Sequence, residues 1–215
     1  MRPKSLLVSL TGLVLCASCV HISDKPLAIP RGDTARVGAH ESVATFAEGC
    51  FWHAEIVFQS LAGVRDAVSG YSGGSDPDPD YEKVCTGSTG HAESVQVYYD
   101  SSRISFKTLV DAFFASVDPT QLNRQGNDVG TQYRSMIFYR TQEEKQIIEQ
   151  AVQDLVQSKK YGGKIVTEIV PFVSFYPAEA YHQEYIFHHP NNSYVRIVSI
   201  PDYLRFREEF KGKFK

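Results

Sequence analysis

Val95, Val97 and Tyr99 alternate with polar positions up to Asp100, and shortly afterwards Phe106, Leu109, Val110, Phe113, Phe114 and Val117 fall on one helical face. Ser105 can cap this helix, and Pro119 marks its end. A two-residue period giving way so quickly to a helical one leaves room only for a short junction. The pattern recurs downstream. Residues 135–140 read as a strand, and Thr141 with Glu144 forms a capping box before a long helix that runs to Tyr161 and is closed by Gly162-Gly163. Residues 165–170 read as another strand, and 178–188 as another helix. Such irregular alternation, without a long parallel βαβ series, predicts an α+β two-layer sandwich with helices on a mixed or antiparallel sheet.

A chain of 215 residues with 42% hydrophobic content can bury its core in one domain, and a net charge of −3 with no central basic block excludes a general nucleic-acid footprint. The N-terminus differs in kind. Arg2 and Lys4 precede an apolar stretch, 6–17, which is too short to cross a membrane and fits a signal-peptide core. Leu15-Cys16-Ala17-Ser18-Cys19 then resembles a bacterial lipoprotein signal, cleaved before Cys19 and lipidated on it, although Cys16 stands where a larger aliphatic residue is usual. The expected organisation is a signal peptide at 1–18, a flexible tether at 19–42 broken by Pro26, Pro30, Gly32 and Gly38, a compact domain at 43–200 and a helical tail at 201–215. In the tail, Tyr203, Phe206, Phe210 and Phe214 form one stripe, expected to dock on the domain. Processing would leave Cys50 and Cys85 of the four cysteines, too few for a disulfide scaffold.

Cys50 therefore has to be explained by chemistry or burial. In Gly49-Cys50-Phe51-Trp52 it stands between an apolar segment, 43–47, and an apparent helix at 53–61. The free N–H groups and positive dipole of a helix start favour a thiolate there, and the two following rings suit a small, partly apolar substrate. Four further segments accompany it: Gly70-Tyr71-Ser72-Gly73-Gly74, Tyr81 through Glu93, Gln125 through Ser135, and Tyr176-Pro177-Ala178-Glu179 leading into Tyr181-His182-Gln183-Glu184-Tyr185. Together, in this order, the five closely resemble the peptide methionine sulfoxide reductase A family over 43–200. The resemblance implies an α+β sandwich with a ferredoxin-like core and reduction of the S epimer of methionine sulfoxide, protein-bound or free.

Sulfoxide reduction needs a nucleophile for sulfur and a proton for oxygen. Cys50 is the natural nucleophile. By resemblance Glu93 is the acid, and a carboxyl desolvated in an aromatic pocket stays protonated near neutral pH. Resemblance also makes Tyr81 and Tyr133 donors to the substrate oxygen, Asp128 an orienting group, and Phe51 and Trp52 the wall for the substrate methyl. His182 and His91 are expected to support the site from behind. Two other readings stay open. One is a zinc site of Cys50, His53, Cys85 and His91, disfavoured because these spacings lack tight ligand pairing. The other is a lipid-anchored binding module without turnover, which gives an acid beside a nucleophile no purpose. No metal or bound cofactor is expected.

After reduction Cys50 should be left as a sulfenic acid. No cysteine follows Cys85 in this sequence, so either Cys85 or an external thiol must resolve it. By resemblance Cys85 is expected to be buried and non-catalytic, which favours an external reductant, a thioredoxin-like protein or a small thiol. The expected setting is a monomer in a bacterial cell envelope, held to the membrane by its lipid alone.

Overall fold

Strand β1 (Glu41–Glu48) runs into helix α1 (Phe51–Gln59) through Gly49 and Cys50, and β2 (Val64–Ser72) returns beside it. The structure is a computed structural model and describes residues 40–215. A short helix α2 (Tyr81–Cys85) leads to β3 (Ala92–Asp100) and α3 (Phe106–Ser116). A two-strand hairpin, β4 (Arg124–Gln125) and β5 (Asp128–Val129), precedes β6 (Ser135–Tyr139), α4 (Gln142–Ser158), β7 (Glu168–Pro171) and β8 (Phe175–Pro177). The chain ends in α5 (Tyr185–His188), a π-turn at Val195–Ser199 and α6 (Ile200–Glu209).

Six strands form one mixed sheet in the order β7-β6-β1-β3-β2-β8. Only the β6–β7 pair is parallel among these ladders. Alternation sorts the side chains. Ala44 and Phe46 of β1, and Val95, Val97 and Tyr99 of β3, enter the main core with α1 and α3. Phe46 stacks on Phe58 at 4.7 Å and on Phe113 at 5.8 Å between ring centroids, tying β1 to both helices. Each such buried ring contributes about 1.5–3 kcal/mol relative to exposure. Ala47, Ala92, Met136 and Phe138 make a smaller separate cluster with Val170 and Phe172. This is the expected α+β arrangement, helices on a mixed sheet. The parity has a consequence for function: Glu93 shares the face of Val95, and Glu48 that of Phe46, so two carboxylates point into the helix layer.

Local chemistry explains most boundaries. Ser105 accepts the Thr108 N–H at 3.1 Å, and Thr141 accepts the Glu144 N–H at 3.1 Å. Glu144 reaches back to the N–H of Arg140, one residue before the usual capping-box partner. Four expectations need correction. α4 ends at Ser158 because Lys159 itself takes the left-handed conformation (φ 54), leaving Gly162-Gly163 to the following loop. The strand expected at 165–170 is shifted to Glu168–Pro171, where it finds β6. The single helix expected at 178–188 is a 3₁₀ turn (Ala180–His182) and α5, separated by left-handed Glu184 (φ 49). Finally, Glu41 and Ser42, assigned to the tether, already pair with Asp100 and Tyr99. The tail packs inward: Tyr203, Phe206 and Phe210 are buried, and Phe214 bridges to Leu61 beyond the end of α6. The signal peptide, Cys19 and most of the tether lie outside the described residues. No helix among the described residues is long and apolar enough to cross a membrane.

Candidate active site

Gly49 makes the turn that presents Cys50. Its φ is +92°, and a Cβ there would stand 2.6 Å from the Cβ of Gln125. Gln125 is fixed by Asp118, whose N–H it accepts at 3.0 Å and whose carbonyl takes its amide at 3.2 Å. A glycine at 49 therefore lets the 118–128 loop close over the strand-to-helix corner and deliver Asp128. Cys50 is the N-cap of α1, its carbonyl accepting from His53 and Ala54. The free N–H groups of the first turn are used by the reactive groups themselves. Phe51 N–H donates to Glu93 Oε2 at 3.0 Å, while the Trp52 N–H lies near the Cys50 sulfur and favours its anion without completing a cap bond. The Tyr194 hydroxyl donates to Asp128 Oδ2 and also reaches the Cys50 sulfur.

Burial dominates the electrostatics. Glu93, 2% exposed, is pushed up to about 8 by desolvation, with the Phe51 N–H opposing and Asp128 adding to the rise. Its carboxyl is therefore mainly neutral at pH 7. Cys50 does not rest as the thiolate expected from its helix-start position. Desolvation and then the nearby Glu93 push its thiol well above the ordinary value, outweighing the Trp52 N–H and the Tyr194 hydroxyl. The correction is one of magnitude, because two or three donors cannot offset loss of solvent beside two carboxyl groups. Burial also raises Tyr81 and Tyr133, with Glu93 the next cause in each, so both hydroxyls remain donors.

The aromatic wall is built by contacts from three segments. Phe51 lies 6.3 Å from Tyr81 and 4.9 Å from His182 between centroids. Trp52 lies flat on Tyr185, 3.6 Å away and 5° from parallel, and donates its indole N–H to His182 Nδ1 at 3.2 Å. The 179–185 segment is locked by polar groups. Glu179 accepts the Tyr71 hydroxyl and the Tyr81 N–H at 2.8 and 2.9 Å. Glu55, one turn after Trp52, accepts the Glu184 N–H at 2.7 Å and the Ser69 hydroxyl at 2.7 Å. Desolvation raises Glu55 to about 8, so this clamp is made by a mainly neutral acid.

Cys50, Phe51, Trp52, Tyr81, Glu93, Asp128, Tyr133 and His182 thus surround one corner of the fold. His91 serves elsewhere, with Nδ1 accepting from Gly74 N–H at 3.0 Å and Nε2 facing the Asp76 carbonyl at 2.8 Å. Cys85, expected to be buried, is exposed at the end of α2, beside the Tyr81 hydroxyl. Its helix is only five residues long, so Val84 alone turns inward. The four residues of the zinc alternative form no ligand cluster among the described residues. Sequence reasoning missed Tyr194, Tyr185 and Glu55. Tyr194 follows Asn192, whose side chain accepts the N–H groups of Tyr194 and Val195. That Asn-x-Tyr step into a helix was the available signal.

This geometry, a cysteine at a helix start with a neutral buried carboxyl and hydroxyl donors around it, defines a thiol-dependent redox site. A family model described as peptide methionine sulfoxide reductase matches residues 42–214. The peptide methionine sulfoxide reductase MsrA of Nautilia profundicola is 50% identical over 171 residues, covering 78% of this chain and 97% of that protein. That of Pasteurella multocida is 46% identical over 172 residues, covering 80% and 98%. Among solved structures, reduced Mxr1 of Saccharomyces cerevisiae superposes with a TM-score of 0.68 at 35% identity, covering 75% of this chain and 93% of that one. Methionine sulfoxide reductase A of Corynebacterium diphtheriae gives 0.66 at 35% identity, covering 76% and 84%. The chain belongs to the peptide methionine sulfoxide reductase family. It is accordingly a thiol-dependent oxidoreductase that reduces methionine sulfoxide, the repair of oxidised methionine.

Proposed function

We propose that Cys50 attacks the sulfoxide sulfur of the S epimer, in proteins or as the free amino acid, while Glu93 protonates the oxygen. The observation that carries this reading is the neutral, buried Glu93 carboxyl held on the N–H of Phe51, the residue after the nucleophile. Oxygen becomes a good leaving group once protonated, and Glu93 recovers a proton from the Cys50 thiol. Attack bonds Cys50 sulfur to the substrate sulfur. The protonated oxygen then passes to Cys50 sulfur as that S–S bond and the substrate S–O bond break. Thiol and sulfoxide thus become sulfenic acid and methionine, and the carboxyl is unchanged. Tyr81 and Tyr133 donate to the sulfoxide oxygen as its charge grows, while Asp128 holds Tyr194 toward the sulfur. Phe51 and Trp52 orient the methyl, whose burial contributes only about 0.8 kcal/mol. His182 steadies Trp52, and His91 ties the 74–76 loop to the start of β3.

A small thiol or a thioredoxin-like protein returns Cys50 to the thiol. Because Cys85 is exposed, burial does not stop it from acting as the resolving cysteine, and the external route rests on Cys50 being only partly buried. Strands β6-β1-β3-β2 with α1 and α3 read as a ferredoxin-like core carrying this chemistry. The enzyme works as a monomer in a bacterial envelope, lipidated on Cys19. Membrane fractionation of the Cys19→Ala variant tests the anchor, and wild-type protein recovered wholly soluble without lipid mass would remove it. For the chemistry, Cys50→Ser should abolish methionine formation from the S sulfoxide. Retained turnover in that variant would overturn the assignment.

A further inference from the structure

A cavity of about 510 Å³ reaches Cys50 from a side that none of the substrate-facing aromatics shares. Cys50, Asp128 and Tyr194 line it, whereas Phe51, Trp52, Tyr81, Tyr133 and Glu93 do not. Its other walls come from the end of β1, the first turn of α1, α3, the 118–128 loop, residues 160–161, the π-turn and α6. Three buried polar side chains on these walls have no hydrogen-bond partner of good geometry at one or more atoms: Glu48 Oε1, Ser199 Oγ and both ring nitrogens of His53. The His53 ring senses the Ser199 backbone and Asp202, but bonds neither well. A buried polar atom without a partner costs about 1–3 kcal/mol, so their gathering at one cavity needs a cause. The Val195–Ser199 π-turn beside them is a second sign, because such turns concentrate at functional sites.

Besides Glu48, which burial raises to about 8 and keeps mainly neutral, the lining carries four carboxylates, Asp118, Asp128, Asp202 and Glu209, against two cations, Lys160 and Arg205. Both cations are already paired, Lys160 with Glu209 and Arg205 with Asp202. The surplus is negative and favours a cationic guest. We propose that this cavity is a subsite for a free aminothiol, a small thiol bearing an ammonium group, which reduces the Cys50 sulfenic acid from behind the substrate wall. The inference rests on the proposed sulfenic-acid reading. The thiolate attacks Cys50 sulfur, the S–O bond breaks and the oxygen leaves as water. A second thiol then attacks the guest's sulfur in the mixed disulfide, releasing Cys50 as a thiol and the reductant as its own disulfide.

The test separates the two halves of turnover. Full-length enzyme with Cys85 replaced by serine is mixed with one equivalent of methionine sulfoxide, and the methionine released is measured. Cysteamine, 2-mercaptoethanol or mercaptoacetate is then added, and loss of the sulfenic acid is followed by dimedone trapping. Compared at equal thiolate concentration, cysteamine should react about tenfold or more faster than mercaptoacetate, as expected for a cleft with charge of one sign, with mercaptoethanol between. Asp202→Asn with Glu209→Gln should collapse that order. Equal rates for the three thiols in the wild-type cavity would overturn the subsite, as would an unchanged order in the double variant. Loss of the methionine burst in the double variant would place the cavity on the substrate path instead and equally overturn it. No methionine in the first mixing would sink the sulfenic-acid reading itself.

Discussion

Replacing Glu93 by glutamine separates acid chemistry from architecture, because glutamine matches the neutral acid in shape and can still accept the Phe51 N–H. With the carboxyl at about 8, roughly nine-tenths of it is protonated at pH 7, so the wild type already resembles the variant structurally. Activity should nevertheless fall about 10²–10⁴-fold at pH 7, the usual worth of a positioned acid. Stability should move the other way. Folding raises this carboxyl from 4.5 to about 8, so the native state binds more protons and wild-type stability falls as pH climbs between those values. Glutamine escapes that loss. At about 1.36 kcal/mol per unit, the variant should gain roughly 2–3 kcal/mol on the wild type between pH 5 and pH 7, and little more above pH 8. Glu48 and Glu55 are also raised to about 8, but they are common to both proteins and cancel. Urea denaturation at pH 5, 7 and 9, with methionine formation measured at pH 7, checks both parts. Activity within about twofold of wild type would remove Glu93 from the mechanism, and a stability difference flat from pH 5 to 7 would refute the raised carboxyl.

Tyr194→Phe removes the hydroxyl shared by Asp128 and Cys50, and kcat should fall about tenfold or more, the worth of one hydrogen bond to a charged group; an unchanged kcat would show that the contact is idle. Glu55→Ala should release the Glu184 N–H and loosen Tyr185 from Trp52. As Trp52 is the only tryptophan, its emission should shift and KM should rise while Glu55→Gln preserves both, and identical spectra for all three proteins would count against the clamp. Gly49→Ala should cost at least ~1–3 kcal/mol, since a side chain at φ +92° also meets Gln125; thermal unfolding at the wild-type temperature would contradict this.

How far the sequence could be read depended on whether the relevant physics was local. Ser105 and Thr141 announce their helices because a cap is satisfied within three residues. The Val95-Val97-Tyr99 alternation implies that Glu93 faces inward, which is half of the argument for its neutral carboxyl. Long-range partners were hidden. Nothing beside Tyr194 points to Asp128, 66 residues away, and Glu55 looks like an ordinary helical carboxylate until Ser69 and Glu184 arrive. Cys50 shows the limit from the other side. Its helix-start position is plain in the sequence, but the sign of its shift depends on a competition between N–H donation and burial beside Glu93, decided only by the assembled fold. Cys85 differs for a related reason: its burial is expected from resemblance, and resemblance does not reveal which residues of a five-residue helix turn outward.

The central claim is that Cys50 takes the sulfoxide oxygen. Mass spectrometry after one equivalent of methionine sulfoxide, without reductant and with Cys85 replaced by serine, tests it most directly. The account predicts one added oxygen on the peptide containing Cys50, convertible to a dimedone adduct, with one equivalent of methionine released. Methionine released while the Cys50 peptide keeps its original mass and gives no adduct would contradict it.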